Sequence, residues 1–171
     1  LAAGGVPLQK DVVADLASHE TVRFSDGQAQ YFFPYPYWIR ALVGKHVLAG
    51  NVQQIMMGWP GSISIAESAK DRVFPVVTTS ENGVHLTSNF QLNPNALPDF
   101  ASMETGVYTL AASVQDVPAD EGQPLGRWVV FANDNMLNDD VVSQYPQNMA
   151  LALNALDWLT QNDALVGVRS K

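Results

Sequence analysis

Three carboxylates stand close behind an apolar run in the last third of the chain. Asp134, Asp139 and Asp140 follow Arg127-Trp128-Val129-Val130-Phe131-Ala132. Carboxylates just past a strand's C-terminal end stand where open α/β sheets place their ligands, and a divalent cation is one reading of this group. The other is conformational. In Asn133-Asp134-Asn135 each side chain can accept from nearby backbone N–H groups, as turns and helix caps require. The turn and cap reading is favoured, no metal is assigned, and Asp134 is kept as a ligand candidate.

Other chemistry finds little support. His19, His46 and His85 are far apart in sequence, with no His-x-x-His or His-Glu pair to set two ligands on one element. Gly61-Ser62-Ile63-Ser64-Ile65 fails the nucleophile-elbow pattern at its last position. No phosphate-cradling glycine loop occurs, and the absence of cysteine excludes disulfides, thiolate zinc sites and a cysteine nucleophile. No catalytic group and no cofactor are assigned, so the chain reads as a binding domain and not an enzyme.

The best interaction candidate is aromatic. Tyr31-Phe32-Phe33-Pro34-Tyr35-Pro36-Tyr37-Trp38 packs six rings and two prolines into eight residues. Rings with a polar tip, stiffened by proline, lose little entropy on binding and suit protein contacts or stacking on sugars. Tyr35, Tyr37 and Trp38 are the candidates for ligand or partner contact, with core packing as the competing role.

The elements that must carry these residues follow from pattern. Both prolines bar a helix interior and a central strand from residues 31–38, which predicts an extended edge or loop. Residues 12–16 read as a short strand after a Gly4-Gly5 turn, and residues 23–30 as a polar loop or weak hairpin around Asp26-Gly27. Ile55-Met56-Met57 and residues 62–65 flank a Gly58-Trp59-Pro60-Gly61 turn. Residues 73–79 are β-branched enough for a buried strand, with residues 84–87 returning after Asn82-Gly83. Residues 89–102 read as irregular. Strands are expected at 107–114 and 127–132, around an acidic loop at 116–126. The second is a continuous apolar run, as in strands covered on both faces. Helical spacing is clearest at 147–161, where Gln147, Asn154, Asp157 and Gln161 form one polar stripe and apolar residues fill the rest, predicting a largely buried helix.

Composition bounds the whole. The chain has 171 residues, 47% hydrophobic and 15% charged, and a formal net charge of −8 from 9 Lys+Arg against 17 Asp+Glu. Its length and apolar content suit one domain, 1–171, with a real core. The acidic balance excludes a phosphate-binding stripe, hence nucleic acid, and disfavours an anionic membrane surface. A low charged fraction hints at an extracytoplasmic setting. No apolar run approaches the roughly 20 residues that span a bilayer. With Leu at position 1, the chain is expected to be a piece of a longer protein.

Two blocks carry a family resemblance. Trp128-Val129-Val130-Phe131-Ala132-Asn133-Asp134-Asn135-Met136-Leu137-Asn138 and Asn148-Met149-Ala150-Leu151-Ala152-Leu153-Asn154-Ala155-Leu156-Asp157-Trp158-Leu159 resemble the closing signature of the auxiliary component of uncharacterised ABC-type transport systems, the gliding-motility GldG-type family. Asp11-Val12-Val13-Ala14-Asp15, His46-Val47-Leu48-Ala49-Gly50 and Val76-Val77-Thr78-Thr79-Ser80 resemble its weaker blocks in the same order. Ala132-Asn133 and Val47-Leu48 depart from that pattern, which favours Gly-Asp and Pro-Ile. The resemblance implies an α/β fold with a mixed, largely parallel sheet and flanking helices, class I amidotransferase-like and truncated at its N-terminus. It also implies a non-catalytic domain on the periplasmic or extracellular face of the inner membrane. The parent would be anchored by helices outside this chain and work beside an ABC permease and ATPase, with a homo-oligomer left open. Asn148, Asn154 and Trp158 match the signature helix, where Asn148 is expected to cap the helix start and Asn154 to bond a neighbouring loop. A carbohydrate-binding or carbohydrate-active domain is the alternative function.

Overall fold

A computed structural model describes residues 5–25, 27–117 and 126–160. Gly4, Asp26, the acidic loop at 118–125 and Gln161 lie outside the described residues. Strands β1 (Val12–Asp15), β2 (His19–Ser25), β3 (Gln30–Val43), β4 (Gln54–Gly58), β5 (Val73–Thr78), β6 (Gly83–Leu86), β7 (Thr109–Val117) and β8 (Gly126–Phe131) precede two helices, α1 (Asp139–Gln144) and α2 (Pro146–Leu159). The main sheet runs β2-β3-β5-β7-β8 with β4 beside β3, and β1 and β6 form a separate pair.

Every strand pair is antiparallel, and the main sheet curls into a half-barrel. This overturns the largely parallel, amidotransferase-like α/β expectation. A parallel neighbour needs a crossover of a dozen or more residues, usually a helix. Between the described strands the only helical pieces are three-residue 3-10 turns, and both α-helices follow the last strand.

β3 is the spine. It is 14 residues long, with β2 along its first part and β5 at its far end on one side, and β4 on the other from Trp38 onward. Pro34 and Pro36 precede Trp38, where β3 pairs with β2 alone among the named strands. Missing N–H groups cost a ladder nothing along an unpaired edge. The aromatic stretch is therefore extended and edge-like, but it continues into the middle of the sheet.

Two other expectations change. β6 does not return on β5 but pairs with β1. β8 is apolar from Trp128 onward yet is an edge strand, pairing among the described strands with β7 alone. Its alternation still has a reason. Val129 and Phe131 pack on the core that holds Leu151, Ala155 and Trp158, while Trp128, Val130 and Ala132 join the cluster of Val6, Ile63 and Val114. A core on each face of the sheet demands apolar residues at both parities.

α2 presents Asn148, Leu151, Asn154, Ala155 and Trp158 inward. The polar stripe expected of this helix is therefore not its solvent face: Asn154 is 5% exposed and Leu156 is 57% exposed. Met149, Leu153 and Leu159 are also exposed, so the helix is half rather than largely buried.

Asp15 joins the two sheets. Its carboxylate is fully buried and accepts from the backbone N–H of Ala17, Ser18 and Ser80 and from the Ser80 hydroxyl. It thereby ties the end of β1 to the segment after β5.

His46 opens the 3-10 turn Val47–Ala49. Its Nδ1 accepts the Leu48 N–H at 3.2 Å, which leaves the proton on Nε2 to be donated to Ser113 Oγ at 3.0 Å. Burial lowers the pKa of this ring. The unfolded chain, with a value near 6.5, thus takes up its proton first. The stability from neutral His46 is complete above about pH 6.5 and is lost as pH falls from there through the lowered folded value. Thermal melts of wild type and His46→Gln across this window should show a shallower acid-side decline in the variant. Equal slopes would remove His46 as the cause.

Candidate functional site

The turn Gly58-Trp59-Pro60-Gly61 holds a non-glycine residue at positive φ. Trp59 has φ +55°, a left-handed value that is a genuine outlier for a bulky residue and costs on the order of 1–3 kcal/mol. Its neighbours hold it there. Trp59 N–H donates to the Tyr37 carbonyl at 2.8 Å, and Gly61 N–H to that of Ala132 at 2.9 Å. Asn133 Nδ2 donates to the Gly58 carbonyl at 2.7 Å. A β-carbon on Gly58 would come within 3.3 Å of the Trp38 indole nitrogen and would press that ring a few tenths of an ångström off the turn.

This turn projects the Trp59 ring into a groove of about 560 Å3. Tyr35 and Trp38 from β3 form its floor, Thr21 and Arg23 from β2 also line it, and so do Leu92, Pro94 and, at the end of α1, Gln144 and Tyr145. The rings meet edge to face. Trp38 and Trp59 lie 5.6 Å apart at 83°, and Tyr35 and Trp59 6.2 Å apart at 75°. The Trp59 indole N–H donates to the Tyr35 hydroxyl at 2.9 Å, and that hydroxyl donates to the Leu92 carbonyl. Burial raises the Tyr35 pKa, partly offset by the Trp59 bond, so the phenol stays protonated as this relay needs. Trp59 itself is 39% exposed. Beside the groove, Arg40 grips Glu20 through both carboxylate oxygens at 2.8 and 3.0 Å, and burial, with the Glu20 charge nearby, raises the Tyr145 pKa.

The expected site residues separate. Tyr35 and Trp38 line the groove. Tyr37 is a core residue instead: it is fully buried against Tyr35 and Phe100, its hydroxyl has no partner among the described residues, and burial, with Tyr35 adding, pushes its pKa up to about 12. Asp134 is exposed and lies with Gln9, Ser62 and Asn133 in a separate depression that also touches Trp59. Asp139 and Asp140 form the first turn of α1, where Asn138 Oδ1 accepts the Asp140 N–H at 3.0 Å. Among the described residues no three His, Asp or Glu side chains converge to hold a metal ion. Sequence reading missed Trp59 and Tyr145. A tryptophan set between glycine and proline is a signal that could have found the first.

The Ser/His contact between Ser113 and His46 carries the wrong polarity for nucleophilic catalysis. His46 donates to Ser113, so it cannot receive that serine's proton as a base would. Ser62 spends its hydroxyl on Asp11 at 2.6 Å, and His85 Nδ1 meets the same carboxylate at 3.1 Å. Both contacts pin loops.

Of the two helix asparagines, Asn148 acts on the strand that leads into the groove turn and Asn154 on the 3-10 turn Val47–Ala49. Asn148 does not cap α2. It is fully buried, and its Oδ1 accepts the Met56 N–H at 2.9 Å while Nδ2 donates to the carbonyls of Met56 and Met136. One side-chain amide thus plays the part of a neighbouring strand along the outer edge of β4. Asn154 Nδ2 donates to the Leu48 carbonyl at 3.0 Å, across to the 3-10 turn. Trp158 is buried beneath the Arg127 guanidinium, which lies 4.8 Å from its ring centre and donates to its carbonyl.

These blocks, 128–138 and 148–159, fall within a longer match. Residues 1–162 fit the model of the family described as an ABC-type uncharacterized transport system, its auxiliary component. The chain belongs to this family. Among curated proteins and among solved structures, no match to the chain was found. In this auxiliary-component domain, Asn133 and Asn148 both hold the β4 segment that leads into Trp59.

Proposed function

We propose that this domain of the ABC-type auxiliary component is a non-catalytic, extracytoplasmic binding module whose groove engages a substrate or partner subunit for the permease and ATPase. Family membership supports the transport setting. The observation that carries the binding role is the fixed, partly exposed Trp59 ring, held at a strained φ over an aromatic floor. Strain of this kind persists where the surrounding structure over-determines it, and binding sites concentrate it.

The experiment uses the absence of cysteine in this chain. In intact cells making the full-length protein with Gln144→Cys at the groove rim, a membrane-impermeant maleimide should label the domain from outside, above the labelling of the same protein with Gln144 kept. Labelling should also reduce co-purification of the permease and ATPase or stop the system's transport. Labelling only after permeabilisation would sink the extracytoplasmic placement. Labelling that leaves co-purification and transport unchanged would sink the groove as the working surface.

A further inference from the structure

The groove's chemistry narrows its ligand, and this step rests on the binding role just given. Arg23 is the one charged side chain among the described residues that line it. Glu20, beside it, is held by Arg40 through both carboxylate oxygens. A chain of net charge −8 offers little to an anion, and a groove without an open carboxylate offers little to a cation. An uncharged ligand fits this balance.

Ring geometry narrows it further. With Trp38 and Tyr35 turned edge-on to Trp59, the groove presents single aromatic faces at a corner and not two parallel plates. A single fixed face suits the flat C–H surface of a pyranose, which stacks on it as an apolar patch. The rim suits the hydroxyls. The Thr21 hydroxyl, the Arg23 guanidinium and the groups the Gln144 amide retains after donating to the Asp140 carbonyl at 3.1 Å supply donors and acceptors beside the rings. The volume, about 560 Å3, lies within the usual range of about 300–1,000 Å3 for small-ligand sites. We infer that the groove binds a neutral saccharide, stacked on Trp59 and hydrogen-bonded through Gln144, Thr21 and Arg23.

The test follows the indole N–H resonances of the chain's four tryptophans by NMR. Neutral gluco-, galacto- and manno-oligosaccharides, an acidic oligogalacturonate and a proline-rich peptide are titrated in turn. A neutral oligosaccharide should move the Trp59 and Trp38 signals and leave those of Trp128 and Trp158 in place. Trp59→Gly, which removes the ring and relieves the positive φ, should weaken that binding at least tenfold. Trp59→Phe, which keeps an aromatic face, should retain most of it, and Tyr37→Phe in the core should change nothing. Response to the peptide or the acidic sugar alone overturns the neutral-saccharide class, as does binding that survives Trp59→Gly. If no saccharide moves Trp59 while Gln144→Cys labelling still uncouples the transport system, the ligand class falls and the binding role stands. If a saccharide binds and labelling uncouples nothing, the reverse holds.

Discussion

Asn148→Ala will lower the unfolding free energy by about 3–5 kcal/mol, among the larger losses a single side chain can cause. The methyl group leaves three buried backbone groups without partners: the N–H and carbonyl of Met56 and the carbonyl of Met136. Each orphaned group costs about 1–3 kcal/mol, less whatever water can recover. Asn154→Ala is the internal comparison. Its amide serves one carbonyl at 3.0 Å and a second at 3.4 Å, so about 1 kcal/mol is expected. Urea melts of both variants measure the gap. Equal losses would mean that the amide bridge to β4 contributes no more than an ordinary side-chain bond. If Asn148→Ala does not fold, Asn148→Gln, which keeps the amide but misplaces it, should give a smaller, measurable loss.

Asp15→Ala is the second large effect, again about 3–5 kcal/mol. Four donors converge on this carboxylate, from Ala17, Ser18 and, twice, Ser80. Bonds to a charged acceptor are worth about 1.5–3 kcal/mol each, and the side chain is inaccessible to water that could replace them. Asp15→Asn should cost less, because one oxygen remains, yet its amide brings N–H against donors. Ser80→Ala removes one of the four contacts and should cost about 1–2 kcal/mol. Chemical denaturation of the three variants should place Asp15→Ala as the most severe, Asp15→Asn next and Ser80→Ala as the mildest. A neutral Asp15→Ala would show that the β1–β6 pair docks without this link.

Local pattern in the sequence anticipated the elements better than their partners. Val12 to Asp15, Val73 to Thr78 and the helix after Pro146 are strands and a helix where β-branching and helical spacing put them. The parallel sheet came from the resemblance and not from the residues, which offer only one long helical pattern and so no set of crossovers. Apolar periodicity was ambiguous in β8, since a run buried on two faces looks alike in parallel and antiparallel sheets. The α2 stripe misled because Asn154 is polar and inward, serving the Leu48 carbonyl, while Leu156 is apolar and outward.

The groove was half legible. Tyr35 and Trp38 stood out by ring density, and Tyr37 shared that density while pointing into the core. Trp59 and Tyr145 arrive from segments 21 and 107 residues beyond Trp38, and no spacing rule joins such distant rings. Only the antiparallel path of β3 into β4, with α1 ending at Tyr145, brings them together.

The bond from Asn148 to Met56 also sets a clock. The two residues are separated by 92 positions, and synthesis at roughly 5–20 residues per second takes about 5–20 s to cover that interval. Throughout it, the nascent β4, Gln-Ile-Met-Met-Gly, has no charge of its own to blunt its outer edge. Sheet assembly in this domain therefore stays open at β4 until α2 emerges, and through that interval the outer edge of β4 is exposed to strand-on-strand misassociation.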